Sequence, residues 1–308
     1  MGKGLSEEAL RCGIIDVGSN TIRAAVYAVQ GSSYELLADH RDFSNLLTFV
    51  EDGQLSDEGA ERLCRVLREM KTFCGEWSCT RVDCFATASL RGIGNFEQVR
   101  QRAAESGVQL TLLSGEEEAL CDYAGLMQEA GVETGIGMDL GGGSGQLFRF
   151  CGRQLKGYAS FPIGVMAMKR RFSMGCGPGE ERREEIRAFV RQQLDSCLAL
   201  QGEPLQELYV MGGTIRAAVA MRDLLLGPGE GQLSCAELEQ LFSSLSVKEG
   251  QEALLQIDAE RIRTMGSGLI VMQSICEYMG AGRVIAVRSG VREGYLWKNV
   301  MKATSCSR

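Results

Sequence analysis

GIGMDLGGGSG, residues 135–145, decides how the rest of the chain is read. An apolar run carrying one aspartate breaks into three consecutive glycines and then a hydroxyl, the pattern of a buried strand ending in a tight turn. Gly141, Gly142 and Gly143 are expected to supply backbone angles closed to other residues. Successive amides in such a turn face one concavity and form a nest for phosphate oxygens, with the Ser144 hydroxyl beside them. Asp139 stands where a carboxylate holds a cation against that phosphate. Taken alone, the same residues also fit a glycine-rich hairpin with a solvated aspartate.

An upstream stretch repeats the pattern. Cys12–Thr21, CGIIDVGSNT, is again an apolar strand, an aspartate (Asp16), a glycine (Gly18) and the side chains Ser19, Asn20 and Thr21. After each turn the chain resumes as apolar, Ile22–Val29 and Gln146–Phe150, so each aspartate lies at the tip of a strand-turn-strand unit. Two such units point to a duplicated domain. A third turn, Gly212, Gly213 and Thr214, follows the apolar run Leu208–Met211 and leads into an alanine-rich helix, Ile215–Met221. A helix N-terminus after a strand is another anion site. Three phosphate-competent turns and two strand-tip aspartates describe two similar domains closing on a phosphorylated ligand and a divalent metal.

The motifs DVGSNTIR, ATASLRGIGN, LSGEEEA, MDLGGGS, GGTIRAA and VREG, in this order, resemble those of the exopolyphosphatase and guanosine pentaphosphate phosphohydrolase family. That family belongs to the superfamily of actin, sugar kinases and heat-shock chaperone ATPases, and the resemblance runs from Cys12 to Leu296. It implies an α/β fold of two ribonuclease-H-like (actin-like ATPase) domains, with mixed sheets flanked by helices and an interdomain cleft. Residues 1–120 would form the first domain and 121–290 the second, with a final helix at about 291–308 packing back on the first. The implied activity is hydrolysis of terminal phosphoanhydride bonds of inorganic polyphosphate, releasing orthophosphate with Mg²⁺ or Mn²⁺. The alternatives are a guanosine pentaphosphate 5'-phosphohydrolase and a non-hydrolytic sensor of polyphosphate or an alarmone. By resemblance, Arg91 is the phosphate-facing arginine, Glu118 the base that deprotonates water, and Asp16 and Asp139 the metal-holding carboxylates.

The acidic triplet Glu116, Glu117 and Glu118 divides by role. Ser114 with Glu117 three residues later is a capping box, and Glu116 answers the helix dipole. Glu118 lacks such a structural task, which agrees with the catalytic role that the resemblance implies. Three departures from the family pattern stand out. Gln146 replaces a glutamate in the second turn, Asn45, Leu46 and Leu47 replace an arginine-leucine-glycine step, and Met265, Gly266 and Ser267 stand where a proline is usual. The first matters for metal, since a neutral amide holds a hard cation less strongly than a carboxylate.

Composition excludes several other classes. A chain of 308 residues has room for two domains, no apolar run approaches a membrane span, and Met1–Arg11 lacks the apolar core of a secretory signal. The 12 cysteines contain no C-x-x-C pair, and Cys64, Cys121, Cys197 and Cys276 sit among apolar neighbours, as reduced cysteines of a cytoplasmic protein would. The single histidine, His40, lies in a polar run and reads as surface, leaving no basis for histidine-dependent triads or multi-histidine metal sites. There is no P-loop signature.

The formal net charge of −7 is unevenly divided, with 13 basic against 23 acidic residues up to position 150 and 20 against 17 after it. An acidic chain is a poor generic nucleic-acid binder. The partner that the resemblance implies is polyphosphate or guanosine pentaphosphate, with no nucleic acid or membrane surface and a homodimer as the candidate assembly. Lys169, Arg170, Arg171, Arg182 and Arg183 form either a solvated helix face or a track for a polyanion. Longer family members carry a further helical region, so the resemblance implies distributive release here, one phosphate per encounter, with Lys169, Arg170 and Arg171 as auxiliary contacts.

The scaffold is legible in outline. Helices are expected at Leu55–Cys74 behind the Ser56 cap, at Pro178–Leu200, after the Ser234–Glu237 capping box, and at Gly266–Met279. Arg81–Ala86, Gln154–Ile163 and Arg283–Val287 read as strands.

Overall fold

The computed structural model of the chain describes residues 9–173 and 179–302. One compact unit is built from the chain up to Glu118 with the segment from Tyr295 onward, and a second from Ala119–Gly294. No helix among the described residues is long and apolar enough to cross a membrane.

The first unit contains β1 (Leu10–Val17), β2 (Ile22–Gln30), β3 (Ser33–Asp42), β4 (Val50–Glu51), β5 (Gln54–Leu55), α1 (Asp57–Glu76), β6 (Arg81–Ala86), α2 (Ala88–Arg91), α3 (Phe96–Glu105) and β7 (Leu110–Leu112). Its main sheet runs β3-β2-β1-β6-β7, with β1, β6 and β7 parallel and β2 and β3 antiparallel. Neighbouring strands β1 and β6 can be parallel because α1 supplies the long crossover between them. The Ser56 hydroxyl accepts from the Gly59 amide at 3.2 Å to start α1, and Leu63, Leu67 and Met70 bury its apolar face. Expectation and structure agree closely here.

The strand β3 has no counterpart in the sequence reading, because Glu35, Asp39, His40 and Arg41 are exposed along it and hide any alternation. Charged side chains of this kind blunt an edge strand against further pairing. His40 lies at the surface as expected, with its ring 5.5 Å from that of Phe73.

The second unit repeats the plan. Strands β8 (Gly135–Leu140), β9 (Gly145–Cys151), β10 (Gln154–Phe161), β11 (Glu207–Met211), β12 (Gln232–Ser234) and β13 (Arg283–Ala286) order as β10-β9-β8-β11-β13-β12. β8, β11 and β13 are parallel, β9 and β10 antiparallel, and β12 is an added antiparallel edge. In each sheet two antiparallel hairpin strands precede the parallel ones, the ribonuclease-H-like order that the family resemblance implies. The flanking helices are α5 (Val165–Arg171), α6 (Glu180–Asp195), α7 (Gly213–Leu225), α8 (Cys235–Ser244), α9 (Lys248–Asp258) and α10 (Met265–Met279). Helix α10 is apolar around most of its circumference and has 13 of its 15 residues buried, as befits a core helix. Two short helices join the units in sequence: α4 (Gly115–Leu126) and α11 (Val291–Tyr295), the latter continuing as a π-helical segment, Leu296–Met301.

Two expectations need correction. The helix expected over Pro178–Leu200 is shorter, since α6 ends at Asp195, Leu198–Leu200 is a separate 3₁₀ turn, and Pro178 lies outside the described residues. Arg183 belongs neither to a solvated face nor to a polyanion track. Its buried guanidinium donates to Glu239 at 2.8 Å and to Gln273 at 2.9 Å, and lies over the Phe242 ring at 4.6 Å. The other basic residues stay at the surface: Arg182 pairs with Glu185, and Lys169, Arg170 and Arg171 end α5, where positive charge suits the helix dipole. None of the ten cysteines among the described residues forms a disulfide, and Cys121 and Cys276 are buried, Cys64 and Cys197 partly so.

Candidate active site

In the second unit, Asp139 sits one residue from the end of β8, directly across from Gln146 on β9 and beside Met211 on β11. The turn between β8 and β9 closes with the Gly141 amide donating to the Ser144 carbonyl at 3.1 Å. None of Gly141, Gly142 and Gly143 takes a left-handed φ, contrary to the expectation from sequence. Close approach is what requires a small loop here. The carbonyls of Gly141 and Gly142 accept from the first amides of α5, Val165, Met166 and Ala167, at 2.9–3.1 Å. A Cβ on Gly164 would lie 2.5 Å from the Gly142 oxygen and the Ser144 nitrogen. With these carbonyls committed to α5, the loop is anchored as a unit. Behind it, the buried Gln146 amide donates to Ser144 Oγ at 2.8 Å and to Ser160 Oγ at 2.9 Å.

The third turn does use a special angle. Gly212 has φ 98° and ψ 179°, and a Cβ there would meet Asp139 Oδ1 at 3.1 Å and the Leu140 carbonyl at 3.3 Å. Only glycine lets α7 begin this close to the aspartate. Thr214 is buried in the first turn of α7, and its hydroxyl accepts from Arg261 Nη1 at 3.3 Å. Arg261 also donates to Asp258 at 3.0 Å. Arg216 follows one turn-edge later, exposed on α7. Its pKa is held below the usual arginine value by burial first, then by Arg292 and Arg261, with Asp139 and Glu293 acting in the opposite sense. Sequence reasoning missed these arginines: Arg216 and Arg292 stand inside quoted motifs, whereas Arg261 is 47 residues from Thr214 and only the fold unites them.

In the first unit, the turn after β1 closes with the Gly18 amide donating to the Thr21 carbonyl at 3.0 Å, and Ser19 is buried within it. The Asn20 carbonyl accepts from the Asn45 amide at 3.0 Å, which tethers the turn to the segment where the family's usual step is altered. Asp16 faces Arg23 across the β1–β2 ladder. The Val17 carbonyl accepts from the Thr87 amide at 3.2 Å and from the Ser89 hydroxyl at 3.3 Å, so α2 is fastened to the tip of β1. This places Arg91 at the sheet's C-terminal edge. Its Nε donates to the Leu113 carbonyl at 3.0 Å and its Nη2 to the buried Glu118 carboxylate.

Glu117, by contrast, caps α4 reciprocally with Ser114, at 2.8 and 3.0 Å, and is exposed. The structure thus joins Arg91 to Glu118 in one unit, and Asp139 to the Gly141–Ser144 and Gly212–Thr214 turns in the other.

The profile of the Ppx/GppA phosphatase family matches residues 26–303. Among curated proteins, the chain is similar to Exopolyphosphatase 1 of Mycobacterium tuberculosis (strain ATCC 25618 / H37Rv), 27% identical over 308 residues that cover 94% of this chain and 88% of that protein. It is also similar to Exopolyphosphatase 1 of Mycobacterium leprae, 23% identical over 304 residues, covering 94% and 90%. Among solved structures, the Aquifex aeolicus member of the Ppx/GppA family superposes with a TM-score of 0.80 at 22% identity, covering 96% of this chain and 98% of that one. An exopolyphosphatase from Cytophaga hutchinsonii superposes with a TM-score of 0.82 at 17% identity, covering 93% and 96%. These structures share the fold, and the profile spans most of the sequence: this chain belongs to the Ppx/GppA phosphatase family of phosphoanhydride hydrolases.

Proposed function

We propose that this protein is an exopolyphosphatase that removes the terminal phosphate of inorganic polyphosphate by attack of water, with Glu118 as the general base. The observation that carries the reading is the pairing of Arg91 with Glu118, a buried carboxylate left over after Glu117 has taken the capping role. A carboxylate tied to a guanidinium is a poor base, and a guanidinium is a ready partner for phosphate. On arrival of the terminal phosphate, Arg91 turns to it and releases Glu118. Glu118 then takes a proton from water as the water oxygen bonds to phosphorus. The bridging P–O bond breaks, its electrons leave with the shortened chain, and orthophosphate is released. The candidate phosphate-binding amides are those of Gly18–Thr21 in the first unit and, in the second, those of Gly141–Ser144 and Gly212–Thr214.

Mg²⁺ fits the donor set at Asp139: one carboxylate, held close to a glycine whose Cβ would crowd it, with a hydroxyl and a neutral amide nearby. Such an ion commonly takes one or two carboxylates and completes its shell with water and phosphate oxygens. Asp139 would hold it, and the chemistry it would supply is neutralisation of charge on the phosphates. Among the described residues no group of three or more His, Cys, Asp or Glu side chains that could hold a metal ion occurs.

The test is release of orthophosphate from polyphosphate by purified protein with Mg²⁺ and with excess chelator, with guanosine pentaphosphate as competing substrate. Mg²⁺-dependent release from polyphosphate is expected. Release from guanosine pentaphosphate alone would move the assignment to that substrate, and binding of polyphosphate without release would make the protein a sensor.

A further inference from the structure

Helix α1 of the first unit ends in a tight backbone cap built around two cysteines. The Ser78 amide donates to the Gly75 carbonyl at 2.9 Å and the Cys79 amide to the Cys74 carbonyl at 3.1 Å, while Ser78 takes the left-handed φ of 57° that such a cap requires. This pair of bonds brings the third-last helical residue into side-chain contact with the second residue beyond the cap. Here those residues are Cys74, which is buried, and Cys79, which is half-buried at the edge of the same core. Cys74 Sγ lies 2.6 Å from where a Cβ on Gly13 would stand, so the glycine of β1 leaves this sulfur its room. Arg11 reaches the same turn: its Nη1 donates to the Trp77 carbonyl at 3.1 Å, and its carbonyl accepts from the Thr80 amide at 3.0 Å. A half-exposed thiol thus stands between a buried thiol and a guanidinium. We infer that Cys79 is an oxidation site for a peroxide, and that Cys74 captures the oxidised sulfur as an intrachain disulfide across the cap of α1.

A redox-active cysteine needs thiolate character, access and a resolving partner close by. With their backbones joined by one 3.1 Å hydrogen bond, Cys74 and Cys79 lie within the Cα separation of up to about 7 Å that a disulfide spans. The electrostatics assign the order of events. The hydrogen bond from the Cys74 thiol is the largest cause holding Cys79 below the usual thiol value, with burial opposing it and the charge of Arg11 adding to it. The same bond, followed by burial, pushes Cys74 up, so Cys79 is the first to react. Its thiolate sulfur bonds to one oxygen of hydrogen peroxide, the O–O bond breaks, and the departing hydroxide takes up a proton as water, leaving Cys79 as a sulfenic acid. The Cys74 sulfur then bonds to that of Cys79, the S–O bond breaks, and the hydroxide leaves with the Cys74 proton as a second water. Two thiols have lost two electrons and one peroxide has gained them. A dithiol reductant reverses the outcome by exchange. None of the groups assigned to hydrolysis takes part, so the inference stands apart from the exopolyphosphatase reading.

The experiment treats the folded full chain with a small excess of hydrogen peroxide, blocks the remaining thiols with iodoacetamide after unfolding, and maps tryptic peptides by mass spectrometry. Cleavage after Lys71 and Arg81 yields one peptide, Thr72–Arg81, that carries Cys74 and Cys79 and no other cysteine. After peroxide this peptide is expected to have lost two hydrogens and to escape alkylation, and dithiothreitol should restore both thiols. Without peroxide, Cys79 of the folded chain should alkylate at least about tenfold faster than Cys74. Arg11→Ala should slow the oxidation roughly threefold and Arg11→Lys should keep the original rate, a dependence on charge that loosening of the turn would not produce. In Cys79→Ser, Cys74 should stay reduced under the same treatment. Recovery of both cysteines as alkylated thiols after peroxide, or Cys79 linked to Cys12 instead, would overturn the pairing. Cys79 carried on to sulfinic acid with Cys74 still free would overturn it too, and oxidation of Cys74 in Cys79→Ser would reverse the roles given to the two sulfurs.

Discussion

Glu117 and Glu118 adjoin on one helical turn and differ in what surrounds them. Glu117 is exposed and bonded to the Ser114 amide, whereas Glu118 is buried and bonded to Arg91. Glu118→Gln is expected to lower kcat by about 100-fold or more while tripolyphosphate binding stays within about twofold, because the amide keeps the shape and loses the base. Glu117→Gln should leave kcat nearly unchanged and cost up to about 1 kcal/mol of stability as a weakened cap. Equal losses of activity in the two variants, measured by orthophosphate release, would reverse the assignment. Gln146 poses a different question. Its amide donates to Ser144 and Ser160 in a fully buried setting, so Gln146→Glu must place a carboxylate there and make both hydroxyls donors. Without metal the variant should melt earlier, by an amount corresponding to about 1–3 kcal/mol for a buried charge with incomplete partners. Mg²⁺ should raise its melting temperature more than that of the unaltered protein and half-saturate activity at lower concentration. Identical Mg²⁺ titrations in both assays would show that position 146 does not hold the ion. These roles were partly readable: the capping box is a three-residue spacing, but the burial that separates Glu118 from Glu117 belongs to the fold.

Helices α4 and α11 touch through glycines. A Cβ on Gly294 would lie 1.7 Å from the Cys121 carbonyl oxygen, and one on Gly125 would lie 2.6 Å from that of Gly290. Backbone cannot yield as a flexible side chain does, so Gly294→Ala should cost about 1–3 kcal/mol or more, seen as a lower denaturant midpoint. The VREG motif therefore ends in a packing glycine. At α8, the capping box expected from Ser234 and Glu237 is formed, with reciprocal bonds of 2.7 and 3.2 Å. The Ser234 amide, followed by its hydroxyl and Arg222, holds the Glu237 carboxyl below the usual carboxylate range, against an opposing effect of burial. A depressed folded pKa means stability that is complete above the unfolded value, about 4.3, and lost as pH falls through the folded one. Glu237→Gln should accordingly show a shallower loss of melting temperature than the unaltered protein below about pH 4.5, and a parallel decline in both would discount the cap. Strands and helices with one clear face, such as α1 and β6, were legible from spacing. The edge strand β3 and the helix α9 were not, since exposed polar residues interrupt their periodicity.

Across the whole molecule, two sheets of the same order are followed by a division of charge that leaves the chain at −7 overall. Net repulsion from a polyanion must be overcome locally, by guanidinium groups and turn amides at a binding site rather than by a diffuse basic surface. The expected outcome is that duplex DNA is not retained at about 0.15 M salt while tripolyphosphate binds, which fluorescence anisotropy with competing ligand can measure. Retention of DNA with micromolar affinity under those conditions would point to a basic surface that this reading does not contain. The amino-acid sequence by itself determined the duplication, since an apolar run, an aspartate and a small-residue turn recur in order and each dictates a strand tip. It also determined the cap at Glu117, because that bond spans one helical turn. Only the tertiary structure decided that the glycines of the second turn serve close packing against α5, that Arg183 is a core ion pair, and that Arg261 lies on the start of α7. The physical reason is sequence distance: local spacing specifies angles, caps and faces, whereas burial and charge convergence arise from residues that meet only when the chain has folded.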